Sequence, residues 1–586
     1  MPAPELDSVV LDLIENALKN ARFEMDEVVR RAAMSPTIRE QHDEFPMIAN
    51  QRGQMVVGQF GSYIPEVIEQ LGRLDEGDVI LLNDPYICKG SVSHCNDWLV
   101  ITPILHDGVL VGFASMFGHM MDVGGRVPGS QVADALSIWD EGIRIPPVKI
   151  AERGVVNDAA LRVILNNTRT PEMNHSDLMA LIAGCRTAER RVADLCDRFG
   201  RDTYLAACDA LLERTRQGMV RLIRRYLPEE KAVFWDWVDD DGVGNGPLKL
   251  VLTAWRDGDR AVFDFTGTDP QTPGSVNFNL HPSLCKMLFG VYLIMAFDPA
   301  ILFNEGYNEV FDVVLPEGSL LQPRFPAAVS NRLAVHVRFW DVQSGALGQC
   351  APDLSMAAGY GTSPYLVYAG WDEDGEWFQL VELLFGGLPG RPADDGLDGH
   401  SWWPLFRSTP AEYMESYYPL VVERYEPVPD TGGPGLHRGG CGIEKQYLFR
   451  RAGTITINDD RAVHAPWGIG GGGAGGTSGK RLQRADGTVE ELPSKIDNVV
   501  VAPGDRLVFR TAGAGGWGDP LERPAEKVER DVRRRLVSAA AARAGYGVVV
   551  GDDAATAALR AELRAARGAR ARFDFGDVPA GLVPPQ

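Results

Sequence analysis

The sequence predicts an α+β, multidomain fold: a helical N-terminal segment joined to a mixed-sheet domain, a β-rich C-terminal half and a helical tail. Three observations carry that prediction. At 586 residues the chain is too long for one hydrophobic core. Its apolar spacing switches between helical and strand-like periods several times. From about residue 420 it becomes rich in Gly and β-formers, and from Pro524 it turns Ala- and Arg-rich. The boundaries read from these shifts give an N-terminal α+β domain over 1–230 and a central α+β domain over 231–420. A Gly-rich β domain over 421–523 and a helical tail over 524–586 follow.

The elements follow in order. Residues 5–35 read as a helix, because Leu6, Val9, Val10, Leu13, Ile14, Ala17 and Leu18 recur at helical spacing. A second helix is expected over 61–72. Asp78–Asn83 is a short apolar run stopped by the turn signal Asn83-Asp84-Pro85. Leu99–Leu105 and Val109–Phe117, joined through His106-Asp107-Gly108, read as paired strands across an Asp-Gly turn. Residues 156–227 read as mostly helical, and 232–267 as strands. No internal repeat is visible.

Composition excludes some functions. The net charge of −22 argues against nucleic acid, which is bound through Lys and Arg, and against an anionic membrane surface. No apolar run is long enough to span a bilayer, and the first residues lack the pattern of a secretory signal. The eight Cys are scattered without a C-x-x-C pair. They read as reduced thiols of a cytoplasmic protein.

Two stretches carry chemistry. Ser93-His94-Cys95-Asn96-Asp97 and His119-Met120-Met121-Asp122 each set a His three residues before an Asp. Imidazole and carboxylate are good ligands for a divalent cation, and an incomplete protein set leaves a position open for chemistry. The strand pairing sharpens the point: His94 and Asp97 lie at the mouth of one strand and His119 at the exit of its partner. A hairpin returns the chain to its start, so the two pairs meet. His94, Asp97 and His119 are the expected ligands, with Asp43 and Asp122 behind them; the alternative is ordinary solvated groups near turns. Asp122 can instead accept the second N–H of a ligating His. The ligand types fit zinc, manganese or iron. Cys95 reads better as a free thiol than as a ligand.

Gly124-Gly125-Arg126-Val127-Pro128-Gly129-Ser130 is either a set of amides open to an anion or a tight turn. Asp140, Glu141 and Arg144 read as an ion pair steadying a rigid Pro-rich segment. The Gly-rich Trp467–Lys480 stretch fits G-x-G-x-x-G by letter but opens no apparent helix. It also fails the P-loop pattern, with Ala474 and Arg481 at the wrong places. No ATP site is read in this chain.

Taken together, the motifs resemble the hydantoinase B/oxoprolinase family. They run in order: Asn83-Asp84-Pro85-Tyr86, the two His–Asp pairs, Asp122–Gly129, Glu141–Pro147 and Asn167–Pro171. Asp264–Thr268, Val422–Tyr425, Gly432–Gly440 and Gly515–Pro520 continue the match. The resemblance covers roughly 5–550. It implies a divalent metal, zinc or manganese, on His94, Asp97 and His119 with Asp43 as a fourth ligand. It also implies ATP and magnesium on a hydantoinase A-like partner subunit, a possible further small subunit, and a small carbonyl substrate. One departure is the apolar setting of Trp98, Met116, Phe117, Met120 and Met121, where many members read T-H-L-P-D and H-H-x-D. An apolar wall leaves the amides of a hydantoin unpaired. The resemblance is therefore closest to acetophenone carboxylase subunits, and ketone carboxylation with bicarbonate is the expected reaction. The alternatives are ATP-dependent hydrolysis of a hydantoin, oxoproline or lactam ring, and a non-catalytic scaffold. Trp98, Gly124, Gly125 and Arg144 are expected beside the substrate or the ligands.

Overall fold

The N-terminal apolar spacing produces α1 (Ser8–Ala32), whose buried side chains Leu11, Ile14, Leu18, Ala21, Met25 and Val29 form one stripe. Asp7 caps it by accepting the Val9 N–H at 2.8 Å. The structure is a computed structural model describing residues 6–59, 64–90, 92–403, 406–568 and 570–585. The expected helix starts at 5 and 61 therefore fall outside the described residues. The chain divides into two compact units interleaved in sequence. Unit 1 comprises 1–230, 255–264 and 277–332; unit 2 comprises 231–254, 265–276 and 333–586.

In unit 1, α2 (Pro36–Arg39) leads into β1 (Glu44–Asn50) and β2 (Met55–Gly58), followed by α3 (Ile64–Leu71). Then come β3 (Val79–Leu82), β4 (Asp97–His106), β5 (Val109–His119), β6 (Val148–Glu152) and β7 (Val155–Val156). These seven strands make one sheet in the order β2-β1-β5-β4-β3-β6-β7. Every neighbouring pair in it is antiparallel. The expected mixed sheet is therefore wholly antiparallel where it carries Asp97 and His119; the parallel pairing of Arg260–Asp264 with Phe311–Val314 lies in another sheet. Three helices follow β7: α4 (Asp158–Asn166), α5 (Pro171–Phe199) and α6 (Arg201–Tyr226). Helices α1 and α5 cover one face of the sheet and share its core with Trp98, Val100, Met116, Leu178 and Leu181.

The β4–β5 hairpin forms where the Asp-Gly signal predicts it. Asp107 and Gly108 have φ of 51° and 72°, the left-handed pair of a type I′ turn, whose twist matches the strands. The register then sets Asp97 opposite His119.

In unit 2 two antiparallel sheets share one core. One contains Tyr365–Trp371, Trp377–Leu383, Gly453–Asn458 and Lys495–Val501. The other contains Leu420–Pro427, Ile443–Phe449, Arg506–Arg510, Gly479–Gln483 and Val489–Leu492. Leu366, Tyr368, Tyr447, Ile455 and Phe509 lie in that core. Beside them three glycine-rich segments, 432–440, 468–476 and 513–516, pack backbone against backbone. A Cβ on Gly515 would stand 1.9 Å from the Trp467 carbonyl oxygen, and one on Gly439 2.0 Å from that of Ala514. The amides here donate to carbonyls: Gly433 to Ala514, Gly473 to Pro434, Gly516 to Gly473. The G-x-G-x-x-G letters thus belong to packing. The tail helices are Ala525–Arg533, Ala539–Tyr546 and Asp553–Ala566.

Two long helices escape the sequence reading, Pro282–Phe297 and Leu333–Cys350, as do the short ones at Pro36–Arg39 and Ala411–Tyr417. Both long helices are buried on nearly every side and have no polar face to reveal a helical period. The second carries Arg338 and Asp341 into a buried charge network: Arg338 meets Asp460 at 2.5 Å, and Arg461 meets Asp236 at 2.8 Å and Asp341 at 2.6 Å. Among the described residues no helix is long and apolar enough to cross a membrane.

Candidate metal centre

His94 opens a turn in which its carbonyl accepts the Asp97 N–H at 3.2 Å, and the turn leads directly into β4. Asn96 clamps the two halves. Its Nδ2 donates to the carbonyls of Met120 (2.9 Å) and Gly129 (3.0 Å), and its own carbonyl accepts the Met120 N–H. His119 is fixed at the end of β5, its N–H donating to the Asp43 carbonyl at 3.1 Å and its carbonyl accepting from Thr37 Oγ1.

The side chains converge. His94 Nε2 lies 2.6 Å and His119 Nδ1 3.2 Å from Asp97 Oδ1, and the two rings are 5.0 Å apart. One ligand atom from each residue falls within 4.8 Å of the others, and all three residues are buried. Asp43 stands at the margin, with Oδ2 3.9 Å from His119 Nδ1. Gln131 supplies an amide 3.1 Å from His119 Nε2, which leaves Nδ1 as the ring atom facing the cluster.

The electrostatics suit a cation. Burial, then the charge of Arg332, pushes His94 down to about 3, so the ring is neutral as a ligand must be. Burial would raise Asp97, but His94, Arg332 and His119 outweigh it and hold the carboxyl well below the ordinary range. Burial lifts Asp43 to about 6. His94 Nδ1 is buried with no hydrogen-bond partner among the described residues. Two buried imidazoles and an ionised carboxylate brought to one point are a donor set that fits a divalent cation.

Other expected residues lie elsewhere or act differently. Asp122 does not meet a ligand His. Its carboxylate accepts from the Arg169 guanidinium at 2.9 Å and from the amides of Gly124, Gly129 and Arg169, because the loop wraps around it. Gly124 and Gly125 offer no open anion cradle: Gly124 donates to Asp122, and Gly125 donates to Ser130 Oγ at 2.9 Å. Arg144 pairs with Asp84 at 2.7 Å and lies over Trp139. Trp98 alternates with Asp97 along β4 and points into the core under α1 and α5, as does Met116. Met120 joins that core too, while Phe117 stands on the Asp97 face with Phe45, their ring centres 5.4 Å apart.

Two contributors were not read from the sequence. Arg332 Nη2 donates to Asp97 Oδ2 at 3.0 Å and its Nε to Ser93 Oγ at 2.7 Å. Its position 235 residues beyond Asp97 leaves no local signal. Gln131 lies only 12 residues from His119 and could have been reached through the loop that Asn96 clamps.

A family model described as Hydantoinase B/oxoprolinase matches residues 7–520. The caprolactamase subunit beta of Pseudomonas jessenii is 29% identical, over 95% of this chain and 99% of its own. The crystal structure of the ATP-dependent caprolactamase from Pseudomonas jessenii superposes with a TM-score of 0.86 at 28% identity, covering 95% of this chain and all of that one. The 5-oxoprolinase 1 of Arabidopsis thaliana is 28% identical over 87% of this chain, which spans 42% of that protein. A nucleotide-free acetone carboxylase structure, at 20% identity and a TM-score of 0.86 over 95% of this chain and 83% of that one, shares the fold.

Proposed function

The chain belongs to the hydantoinase B/oxoprolinase family, and on that premise we propose that it is the cation-holding subunit of an ATP-dependent enzyme that opens a cyclic amide. The observation that carries this reading is the convergence of His94, Asp97 and His119 on one buried point, with Asp43 at its edge. A zinc or manganese ion held there would polarise a carbonyl or imidate oxygen and lower the pKa of water. The chain's own residues do the rest. Gln131 fixes the His119 ring, and Arg332 and the two imidazoles hold Asp97 ionised.

ATP is used on a partner, a hydantoinase A-like subunit, which phosphorylates the substrate oxygen. The glycine-rich segments of unit 2 donate amides to carbonyls, as from Gly433, Gly473 and Gly516. The caprolactamase likeness supports amide opening over ketone carboxylation, as does the position of Trp98 and Met116 on the helix side of the sheet.

Carboxylation of an acetophenone-like ketone remains the second reading, favoured by the Phe45–Phe117 pair on the Asp97 face. The test is ATP turnover by the complex of both subunits. Hydrolysis of ATP with caprolactam, a hydantoin or 5-oxoproline, without bicarbonate, is the expected result. Turnover that needs both an aryl ketone and bicarbonate would replace the first reading by the second.

A further inference from the structure

We infer that Arg332 is a receptor for an oxyanion beside the cation site, and that the anion is a phosphoryl group on the ATP-activated substrate. The inference rests on the proposed ATP-dependent reaction and adds to it the group that recognises the activated species.

Arg332 is 7% exposed. Two arms of its guanidinium are spent, Nη2 on Asp97 and Nε on Ser93. The third, Nη1, is buried with no hydrogen-bond partner among the described residues. The preceding Asn331, 3% exposed, likewise has a buried Nδ2 without a partner among them. Two consecutive side chains thus keep unspent donors where unsatisfied groups are costly. A planar guanidinium with a free edge suits a phosphoryl group, whose oxygens it can meet in fork geometry.

Charge points the same way. With a divalent cation present and both Asp43 and Asp97 ionised, Arg332 leaves the buried cluster positive. Glu141 does not cancel it: its Oε1 accepts from the amides of Val329 and Ser330, and burial lifts it to about 8, so it is mostly neutral. A buried excess charge calls for a counter-ion. Asp97 turns Oδ1 to the imidazoles and Oδ2 to Arg332, so an anion on Nη1 lies one carboxylate away from the cation position.

The experiment uses the full-length chain loaded with Mn2+ and inorganic phosphate as the probe. Free Mn2+ is counted by electron paramagnetic resonance, and phosphate binding is read from relaxation of its 31P signal by the bound ion. Saturable relaxation in the wild type is expected. Arg332→Lys keeps a cation against Asp97 but has no second arm. Compared at equal Mn2+ occupancy, it should bind phosphate at least about tenfold more weakly than wild type. Wild-type-like phosphate binding by R332K overturns the inference, as does acetate binding in place of phosphate. Should R332K fail to fold or to hold Mn2+, the wild type decides: Mn2+ uptake without 31P relaxation overturns the inference alone. No Mn2+ uptake by the wild type overturns the cation reading as well.

Discussion

Asp97 divides its two oxygens, Oδ1 to the imidazoles of His94 and His119 and Oδ2 to Arg332, so one substitution there breaks both kinds of contact. Asp97→Ala removes a cation ligand and also strands Arg332 as a buried charge. The expected loss is about 3–5 kcal/mol, read from a denaturant midpoint. His119→Ala leaves no such orphan, so it should abolish cation uptake by elemental analysis while the protein stays folded. Asp26, on α1, gives a pH test away from the ligands. Burial, only partly offset by Arg22 and Arg30, lifts it to about 6 from 3.8. The folded state therefore holds the proton more tightly than the unfolded chain. Stability from this group is full below about 4 and falls as pH rises through 6. Asp26→Asn should flatten that slope and gain about 2 kcal/mol at pH 7 relative to wild type. His94 and Asp97 were legible because they lie within one turn of chain, whereas the expected pairing of His119 with Asp122 gave way to His119 with Asp97 across the hairpin. Arg332 was not legible, because only tertiary folding brings it to Asp97.

The β4–β5 hairpin is the element that makes a site of two motifs. Its two-residue turn was legible as Asp-Gly, and the pairing of Asp97 with His119 follows from it. Glycines on this hairpin should respond differently. A Cβ on Gly108 meets nothing within 4 Å, so Gly108→Ala costs only the left-handed backbone, about 1 kcal/mol. Gly118 faces Leu181 and Ile38 at 3.0–3.1 Å, and Gly118→Val should cost about 1–3 kcal/mol by overpacking. Thermal unfolding of the two variants would rank them, and Gly108→Ala should retain cation uptake. Face assignment was the weak point of the linear reading. Trp98 stands next to Asp97 in sequence, yet a strand sends neighbours to opposite faces. The amphipathic α1 announced itself, whereas Leu333–Cys350, buried all round, did not.

At the scale of the whole chain, the interleaving of the two units matters for any attempt to cut the protein. Unit 1 draws on 277–332 for contacts that its first 230 residues cannot replace. Arg332 holds Asp97, Glu305 accepts the Met55 N–H at 2.8 Å, and the Ala327 carbonyl accepts from Tyr86. A fragment of residues 1–230 should therefore show no cooperative unfolding transition and no Mn2+ uptake, while the full chain shows both. Composition could suggest where texture changes along the chain. It could not show that later segments return to complete an earlier core.

The glycine-packed layer of unit 2 has a kinetic consequence. Its amides bond between segments roughly 40–80 positions apart, and no helix or hairpin holds any one of them in place beforehand. Loop closure must be spent before a single bond is gained. Such a layer forms all at once and late, then opens all at once. Hydrogen exchange should show the amides of Gly433, Gly473, Gly513 and Gly516 trading protons for deuterons at one shared rate, slower than that of the tail helices.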